Sequence, residues 1–252
     1  MNAILPLYIF ISGTILGSFF NVVGLRLPKK IDFTKSRSAC PHCSTTLQAR
    51  DLIPLISFLL SKGKCRHCES RISIAYPIVE LSTGILFLSA YMHLGISYPF
   101  LGACLLISLA IIVTVGDLKY MIIPDRLLLF FAGMFIIYRF FYPLEPWYVS
   151  VLGALTGFGL IMLIIVVSKG GMGGGDMKLF GILGILLGVK MTLLTFFLAT
   201  IIGTIASLLL LGFKVIGRKD PFPFGPSIML ASIISYLYGN DLLNFYFETF
   251  YI

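Results

Sequence analysis

The sequence contains few charged residues for its length. Only 12% of its 252 residues are Asp, Glu, Lys or Arg, whereas 58% are hydrophobic. A soluble domain carries about 25% charged residues, so the composition argues against a soluble protein. Apolar runs of roughly 20 residues, the length that crosses a bilayer, recur along the chain. These runs do not alternate apolar and polar residues, which excludes an outer-membrane β-barrel.

Acidic residues and histidines are also scarce, which limits the available catalytic chemistry. The chain has 11 Asp and Glu and only 3 His. His42 and His67 lie inside cysteine motifs, and His93 lies at the end of an apolar run. No Ser-His or Cys-His arrangement for nucleophilic catalysis suggests itself. Any hydrolytic chemistry is therefore expected to come from carboxylates.

Basic residues outnumber the acids, and their distribution predicts a membrane orientation. The formal net charge is +8, and ten of the 19 Lys and Arg fall between Arg26 and Arg71. Most of the others, including Arg218 and Lys219, border apolar runs. Lys and Arg accumulate in the cytoplasmic loops of membrane proteins. We therefore expect the long polar segment inside, both termini outside, and no binding to nucleic acid.

Eight apolar segments are predicted to cross the membrane as helices. They cover residues 4–25, 76–94, 99–116, 126–142, 148–168, 177–189, 191–213 and 225–240. The segment 177–189 is short and interrupted by glycine, so a re-entrant or tilted piece is an alternative there. The expected fold class is an all-α polytopic membrane protein with about eight transmembrane helices and one cytoplasmic zinc-binding loop.

The predicted zinc site rests on four of the five cysteines. Cys40 and Cys43 form CPHC, and Cys65 and Cys68 form CRHC further along the same polar loop. Four thiolates on two tight turns fill the tetrahedral shell of Zn²⁺, and such a closed site is structural. Two redox motifs or two disulfides are the alternatives, and a cytoplasmic location disfavours stable disulfides.

Two carboxylates lie at the cytoplasmic ends of apolar segments. Asp117 ends the third segment in VTVGDLKYMIIPDRL, and Asp176 closes the glycine-rich stretch KGGMGGGDMKLF. The predicted orientation puts both on the same face of the membrane. Two carboxylates that come close can share one proton, so that one acts as an acid and the other as a base. Such a pair can activate water against an amide and protonate the leaving nitrogen.

Several neighbours of Asp176 are candidates for supporting roles. The stretch before it contains three consecutive glycines, Gly173, Gly174 and Gly175. They form either a plain flexible loop or a space that lets a substrate backbone approach the acid. Lys178 is expected to lower the cost of a charged Asp176.

Glu80 is a further acid in an unusual position. It follows AYPIV just inside the second apolar segment, where an ionised carboxylate is costly and needs a partner or a role. The sequence is compatible with either a structural hydrogen bond or a functional role for Glu80.

These motifs together resemble a known family. GGGDMKLF resembles the Gly-x-Gly-Asp motif of intramembrane aspartyl proteases. The chain as a whole resembles the bacterial type IV prepilin peptidases, and especially those of Gram-positive competence systems. The matching segments are ILGSFFNVVGLRLP, the two cysteine motifs, residues 51–84, DLKYMIIPD, GGGDMKLF and FPFGPSI.

The resemblance implies an aspartyl endopeptidase of the bacterial cytoplasmic membrane. Such an enzyme removes the basic leader of type IV prepilins or pseudopilins at the cytoplasmic face, after the last glycine of the leader. Many members then methylate the new amino terminus with S-adenosylmethionine. The catalytic pair maps onto Asp117 and Asp176, and Asp125 matches the end of the first motif as a helix cap or support, with a catalytic acid as the alternative.

The resemblance also implies three regions. Residues 1–25 form a first transmembrane helix, residues 26–75 the cytoplasmic zinc loop associated with methylation, and residues 76–252 the peptidase core in the bilayer. Two other functions stay open: a transporter that uses the acids as ion ligands, and a non-catalytic assembly factor for pili or secretion. The clustering of the acids at one face argues against the transporter.

Overall fold

The computed structural model of the chain describes residues 4–32, 37–217 and 220–250. Arg218 and Lys219, which contributed to the predicted orientation, lie outside the described residues. The helices are α1 (Ile4–Arg26), α2 (Ile56–Leu60), α3 (Ala75–Leu94), α4 (Tyr98–Tyr120), α5 (Asp125–Phe141), α6 (Val149–Val167), α7 (Gly174–Gly212) and α8 (Gly225–Phe250), with a 3₁₀ turn at Ala49–Asp51. The described residues contain no strand, which confirms the all-α prediction.

Five helices of the described chain are long and apolar enough to cross a membrane, namely α1, α3, α4, α6 and α7. Helix α5 has only 17 residues, and the second half of α8 contains the polar sequence GND. Every predicted segment lies largely in a helix, but the expected number of about eight spans stays a prediction.

Helix α7 contains two of the predicted segments. It runs for 39 residues, and its backbone leaves the helical conformation at Gly188, with φ 71° and ψ 176°. A positive φ is readily adopted only by glycine. Next to this break, Arg139 of α5 donates hydrogen bonds from Nε and Nη2 to the carbonyl oxygen of Leu186. Such donors matter because a backbone carbonyl has no water to bond in an apolar interior.

The chain divides into two compact units, Met1–Phe100 and Leu101–Ile252. In the first unit α1 packs against α3. A Cβ atom added to Gly17 would lie 2.6 Å from Oγ1 of Thr83, and one added to Gly13 would lie 2.9 Å from the Cα atom of Gly84. Small residues therefore let the two backbones approach closely, as in many membrane helix pairs.

In the second unit α7 packs against α5, α6 and α8. The crossing of α6 and α7 uses glycines four residues apart on both helices, Gly153 and Gly157 on one and Gly184 and Gly188 on the other. A Cβ atom on Gly153 would overlap the carbonyl oxygen of Gly184 and lie 2.7 Å from the Cα atom of Gly188. This crossing holds the first half of α7, which carries Asp176, against α6.

The substitution Gly184→Ala tests this crossing. The added Cβ would overlap the carbonyl oxygen of Gly153 and lie 2.6 Å from the amide nitrogen of Ala154. We expect a loss of about 1–3 kcal/mol in the free energy of unfolding, typical of overpacking, measured as a lower thermal midpoint in detergent. Gly159→Ala is the matched control on α6, because nothing lies within 4 Å of its added Cβ. Equal midpoints for the two variants would contradict the close crossing.

Candidate active site and metal centre

Asp117 is a buried carboxylate near the end of α4, with 6% of its surface exposed. Its Oδ2 atom accepts a hydrogen bond of 2.8 Å from the backbone N–H of Gly225. Gly225 is the first residue of α8, and the first amides of a helix have no acceptor within the helix. The carboxylate supplies that acceptor and lies at the positive end of the helix dipole.

Sequence reasoning missed the contribution of Gly225. The motif FPFGPSI was visible, and a proline directly after Gly225 is typical of a helix start. No local signal, however, connects residue 225 with residue 117. A Cβ atom on Gly225 would lie only 2.7 Å from Oδ2 of Asp117, so the close contact requires glycine.

Asp176 is half-buried in the first turn of α7, two residues after the helix begins at Gly174. A Cβ atom added to Gly173 would lie 3.3 Å from Oδ2 of Asp176, so the carboxylate turns back over the glycine loop. Asp176 and Asp117 lie within electrostatic range, close enough for their charges to repel each other. The two predicted acids therefore lie in the same part of the second unit, within range of each other's charge.

The three glycines before Asp176 have different surroundings. An added Cβ atom on Gly174 would meet nothing within 4 Å, whereas one on Gly175 would lie 3.3 Å from Cβ of Ile123. Ile123 belongs to the segment between α4 and α5, within DLKYMIIPD. The two motif loops therefore touch at Gly175, and open space lies beside Gly174.

Lys178 pairs with Asp125 rather than with Asp176. Its Nζ atom lies 2.7 Å from Oδ1 of Asp125, and 47% and 64% of the two side chains are exposed. Pro124 occupies the N-cap position of α5, and Asp125 is the first residue of that helix. The pair ties the start of α5 to the N-terminal part of α7. Because it is exposed, the pair itself adds only about 0.2–1 kcal/mol.

The four predicted metal ligands lie together in the first unit. The Sγ atoms of Cys40, Cys43, Cys65 and Cys68 all lie within 4.8 Å of one another, and all four cysteines are free thiols. Four such groups can hold one metal ion, so the predicted cysteine cluster is confirmed. Cys104, on α4, is not a member of this group.

The two cysteine motifs have the same local structure. The N–H of Ser44 donates to the carbonyl of Cys40, and the N–H of Glu69 donates to the carbonyl of Cys65, both at 2.9 Å. Ser44 and Glu69 have φ values of 57° and 56°. Each motif is thus a tight turn that aims two thiols at the same point.

Hydrogen-bond donors around Cys40 favour its thiolate form. The backbone N–H groups of Cys43 and His42 lower the pKa of Cys40 to about 6. Ser70, through its hydroxyl and its backbone N–H, lowers the pKa of Cys68. The thiolate is the form that binds metal, so these donors favour metal ligation by Cys40 and Cys68.

Glu80 is buried on α3, with 7% of its surface exposed. Its Oε2 atom accepts a hydrogen bond of 2.8 Å from the N–H of Leu55, a residue with φ 60° at the start of α2. Glu80 also lines a cavity of about 510 Å³ within the first unit. This hydrogen bond gives Glu80 the structural role that was one of the two alternatives from the sequence. The cavity was not predicted from the sequence.

Comparisons with known proteins place the chain in a family. Residues 11–94 match the Bacterial Peptidase A24 N-terminal domain, and residues 104–208 match the Type IV leader peptidase family. A prepilin leader peptidase/N-methyltransferase of Bacillus subtilis (strain 168) is 43% identical over 242 residues, which cover 95% of this chain and 97% of the relative.

Proteins of the same name from other bacteria are similar along most of their length. The protein of Aeromonas salmonicida (strain A449) is 31% identical over 96% of this chain and 93% of its own length. That of Neisseria gonorrhoeae is 32% identical over 91% of this chain and 88% of its own length. No solved structure matches the chain. The resemblance inferred from the motifs is confirmed, and the chain belongs to the type IV leader peptidase family.

Proposed function

We propose that this protein is a membrane aspartyl endopeptidase that removes the leader of type IV prepilins or pseudopilins after its last glycine. The names of the relatives support the reaction. The observation that supports the residue assignment is the contact at Gly175 and Ile123 between the two motif loops, which leaves Asp117 and Asp176 within electrostatic range of each other. Paired carboxylates are a hydrolytic set in their own right, since one can take a proton while the other gives one.

The positions of the donors suggest which aspartate takes which role, because the N–H that Asp117 accepts begins α8, whereas the backbone hydrogen bond of Asp176 is with Gly173 of the exposed loop. Asp117 accepts the N–H of Gly225 at the start of α8, and such a donor stabilises a charged carboxylate. We assign Asp117 as the base that removes a proton from water. Asp176, repelled by that charge, keeps its proton and gives it to the leaving nitrogen. Water oxygen bonds to the peptide carbon, and the carbon–nitrogen bond breaks.

The glycine loop is the proposed entry for the scissile peptide. Gly173 and Gly174 are exposed, and no atom lies within 4 Å of a Cβ position on Gly174. A substrate backbone needs such space because its amide must come close to Asp176. The contact of Gly175 with Ile123 keeps the loop beside the first motif.

The proposed topology places this site at the cytoplasmic face of the bacterial cytoplasmic membrane. The five long apolar helices support a membrane protein, and the bias of Lys and Arg supports the orientation. In this proposal α5, α8 and the two parts of α7 on either side of Gly188 complete eight spans. The proposed substrates carry a basic leader, which the same bias keeps inside. A transporter or a non-catalytic assembly factor would not explain the family membership.

We further propose that the protein methylates the new amino terminus and that the cysteine cluster holds structural zinc. The names of the relatives support the transfer, for which S-adenosylmethionine would supply the methyl group. Cys40, Cys43, Cys65 and Cys68 would fill all four positions of a tetrahedral Zn²⁺ ion. With no open position such an ion stabilises the fold and does no chemistry.

Asp117→Asn and Asp176→Asn are each expected to lower the rate of leader removal by at least about 10²-fold, because each removes one half of the acid–base pair. The measurement is conversion of a purified prepilin or pseudopilin by the enzyme in proteoliposomes. Asp241→Asn is the control, since Asp241 is an exposed carboxylate on α8. Full activity in either active-site variant would refute the assignment.

Gly225→Ala is expected to displace the Asp117 carboxylate, because the added Cβ would lie 2.7 Å from Oδ2. A misplaced catalytic group can cost about 10²-fold in rate, so we expect a lower kcat with a nearly unchanged KM. Gly133→Ala is the matched control, because its added Cβ would meet nothing within 4 Å. A kcat equal to that of the control would show that Gly225 does not position Asp117.

Cys65→Ser is expected to release the metal and to open the first unit to proteolysis, because metal binding would contribute the folding energy of this loop. The measurements are zinc content by elemental analysis and limited digestion of the purified protein. Cys104→Ser, which lies outside the cluster, should keep the metal. A Cys65→Ser protein with wild-type zinc content would disprove ligation by this cluster.

A further inference from the structure

The two proposed catalytic aspartates lie on helices that are not main packing partners of each other. Asp117 lies near the end of α4, and Asp176 lies in the first turn of α7. Among the described residues, α7 packs mainly against α5, α6 and α8. Glycine has more backbone freedom than other residues, and three glycines come directly before Asp176. The direction of the Asp176 carboxylate must therefore be fixed by contacts other than an interface between α4 and α7.

Two contacts attach the start of α7 to segment 121–125, which leads from α4 into α5. A Cβ atom on Gly175 would lie 3.3 Å from Cβ of Ile123. The Nζ atom of Lys178 lies 2.7 Å from Oδ1 of Asp125. One contact comes just before Asp176 in the sequence and the other just after it. The catalytic acid is thus held from both sides by the segment that follows the helix of its partner.

Helix geometry explains why both contacts use the same side of α7. Side chains three positions apart on a helix are neighbours, whereas those one or two positions apart point in different directions. Gly175 and Lys178 therefore face segment 121–125 together, and Asp176 points to another side. Two attachment points on one side oppose rotation of the start of α7 about its axis. Such a rotation would swing the Asp176 carboxylate away from Asp117.

We propose that Lys178 and Asp125 are positioning residues of the peptidase site, and that their ion pair fixes the direction in which Asp176 points. This inference rests on the proposed catalytic role of Asp176 and adds how its carboxylate is held. Neither residue of the pair touches the reacting atoms. Both side chains are exposed, so the pair favours the aligned arrangement by at most about fivefold.

Removing either charge is expected to lower kcat by about two- to fivefold, because Asp176 is then out of alignment for part of the time. The variants are Lys178→Met and Asp125→Asn, measured by steady-state conversion of a purified prepilin in proteoliposomes. KM should stay within about twofold of wild type, since the pair does not bind substrate. The double variant should lose no more than either single variant, because both changes remove the same interaction.

Charge reversal gives a larger and more specific effect. Lys178→Glu places two acids opposite each other, so repulsion replaces attraction, and kcat should fall at least about fivefold. Adding Asp125→Lys restores an ion pair of opposite polarity. We expect this double variant to recover to within about threefold of wild type, since a lysine at the start of α5 opposes the helix dipole.

Lys190→Glu is the matched control for the charge reversal, because Lys190 is an exposed lysine of the same helix outside this contact. It should keep the wild-type kcat. Recovery in the double variant together with an unaffected control would support the proposal. A double variant no more active than Lys178→Glu, or a control that loses as much activity, would overturn it.

Three other roles for the pair predict different results, and each of these results would contradict positioning. If Asp125 were a catalytic acid, Asp125→Asn would lose about 10²-fold or more and charge reversal would not restore activity. If Lys178 stabilised the charge of Asp176, Lys178→Met would move the acid limb of the pH profile to higher pH, because a carboxylate without a nearby cation holds its proton more tightly. If the pair only stabilised the fold, the thermal midpoint would fall while folded enzyme kept its kcat.

Asp176→Asn, assayed beside these variants, separates this inference from the proposed function. If Asp176→Asn keeps full activity, the catalytic assignment fails and the positioning role fails with it. If Asp176→Asn is inactive while Lys178→Glu keeps the wild-type kcat, the positioning role fails and the catalytic assignment stands.

Discussion

The hydrogen bond from Gly225 to Asp117 is the interaction on which the proposed peptidase site depends. A carboxylate that is 6% exposed at the end of an apolar helix cannot stay charged without a donor. The first turn of α8 has donors without acceptors, so each group satisfies the other. This requirement places the start of α8 against the end of α4. It also explains why residue 225 must lack a side chain, since the approach leaves no room for a Cβ atom.

Glycine residues also determine the position of Asp176, but they do so through helix packing. Glycines on α6 and α7 let the two helices cross with their backbones in contact, and the break at Gly188 separates the first part of α7 from the rest. Arg139 satisfies a carbonyl next to that break. Exposed Gly173 and Gly174 then leave the approach to Asp176 open. Glycine therefore allows both the close crossing of α7 with α6 and the accessible loop that precedes α7.

The first unit also contains a buried acid, Glu80, in an apolar environment. Glu80 accepts a hydrogen bond from the N–H of Leu55 but forms no ion pair with a described residue. In the second unit Asp117 accepts an N–H at the start of α8, and its charge repels that of Asp176, which suits acid–base chemistry. In the first unit Glu80 faces a cavity whose wall also contains the basic side chains of Arg26, Lys64 and Arg71.

The amino-acid sequence by itself determined the apolar helices, the cysteine cluster, the two aspartate motifs and the family. These features are local: a long apolar run becomes a helix in a bilayer because its backbone must bond internally, and Cys-x-x-Cys turns aim two thiols at one point. Only the tertiary structure decided that Gly225 meets Asp117, that Lys178 pairs with Asp125 instead of Asp176, and that Glu80 lines a cavity. Each of these contacts joins residues at least 25 positions apart. Such contacts depend on how helices cross, and periodicity and local motifs do not specify the crossings.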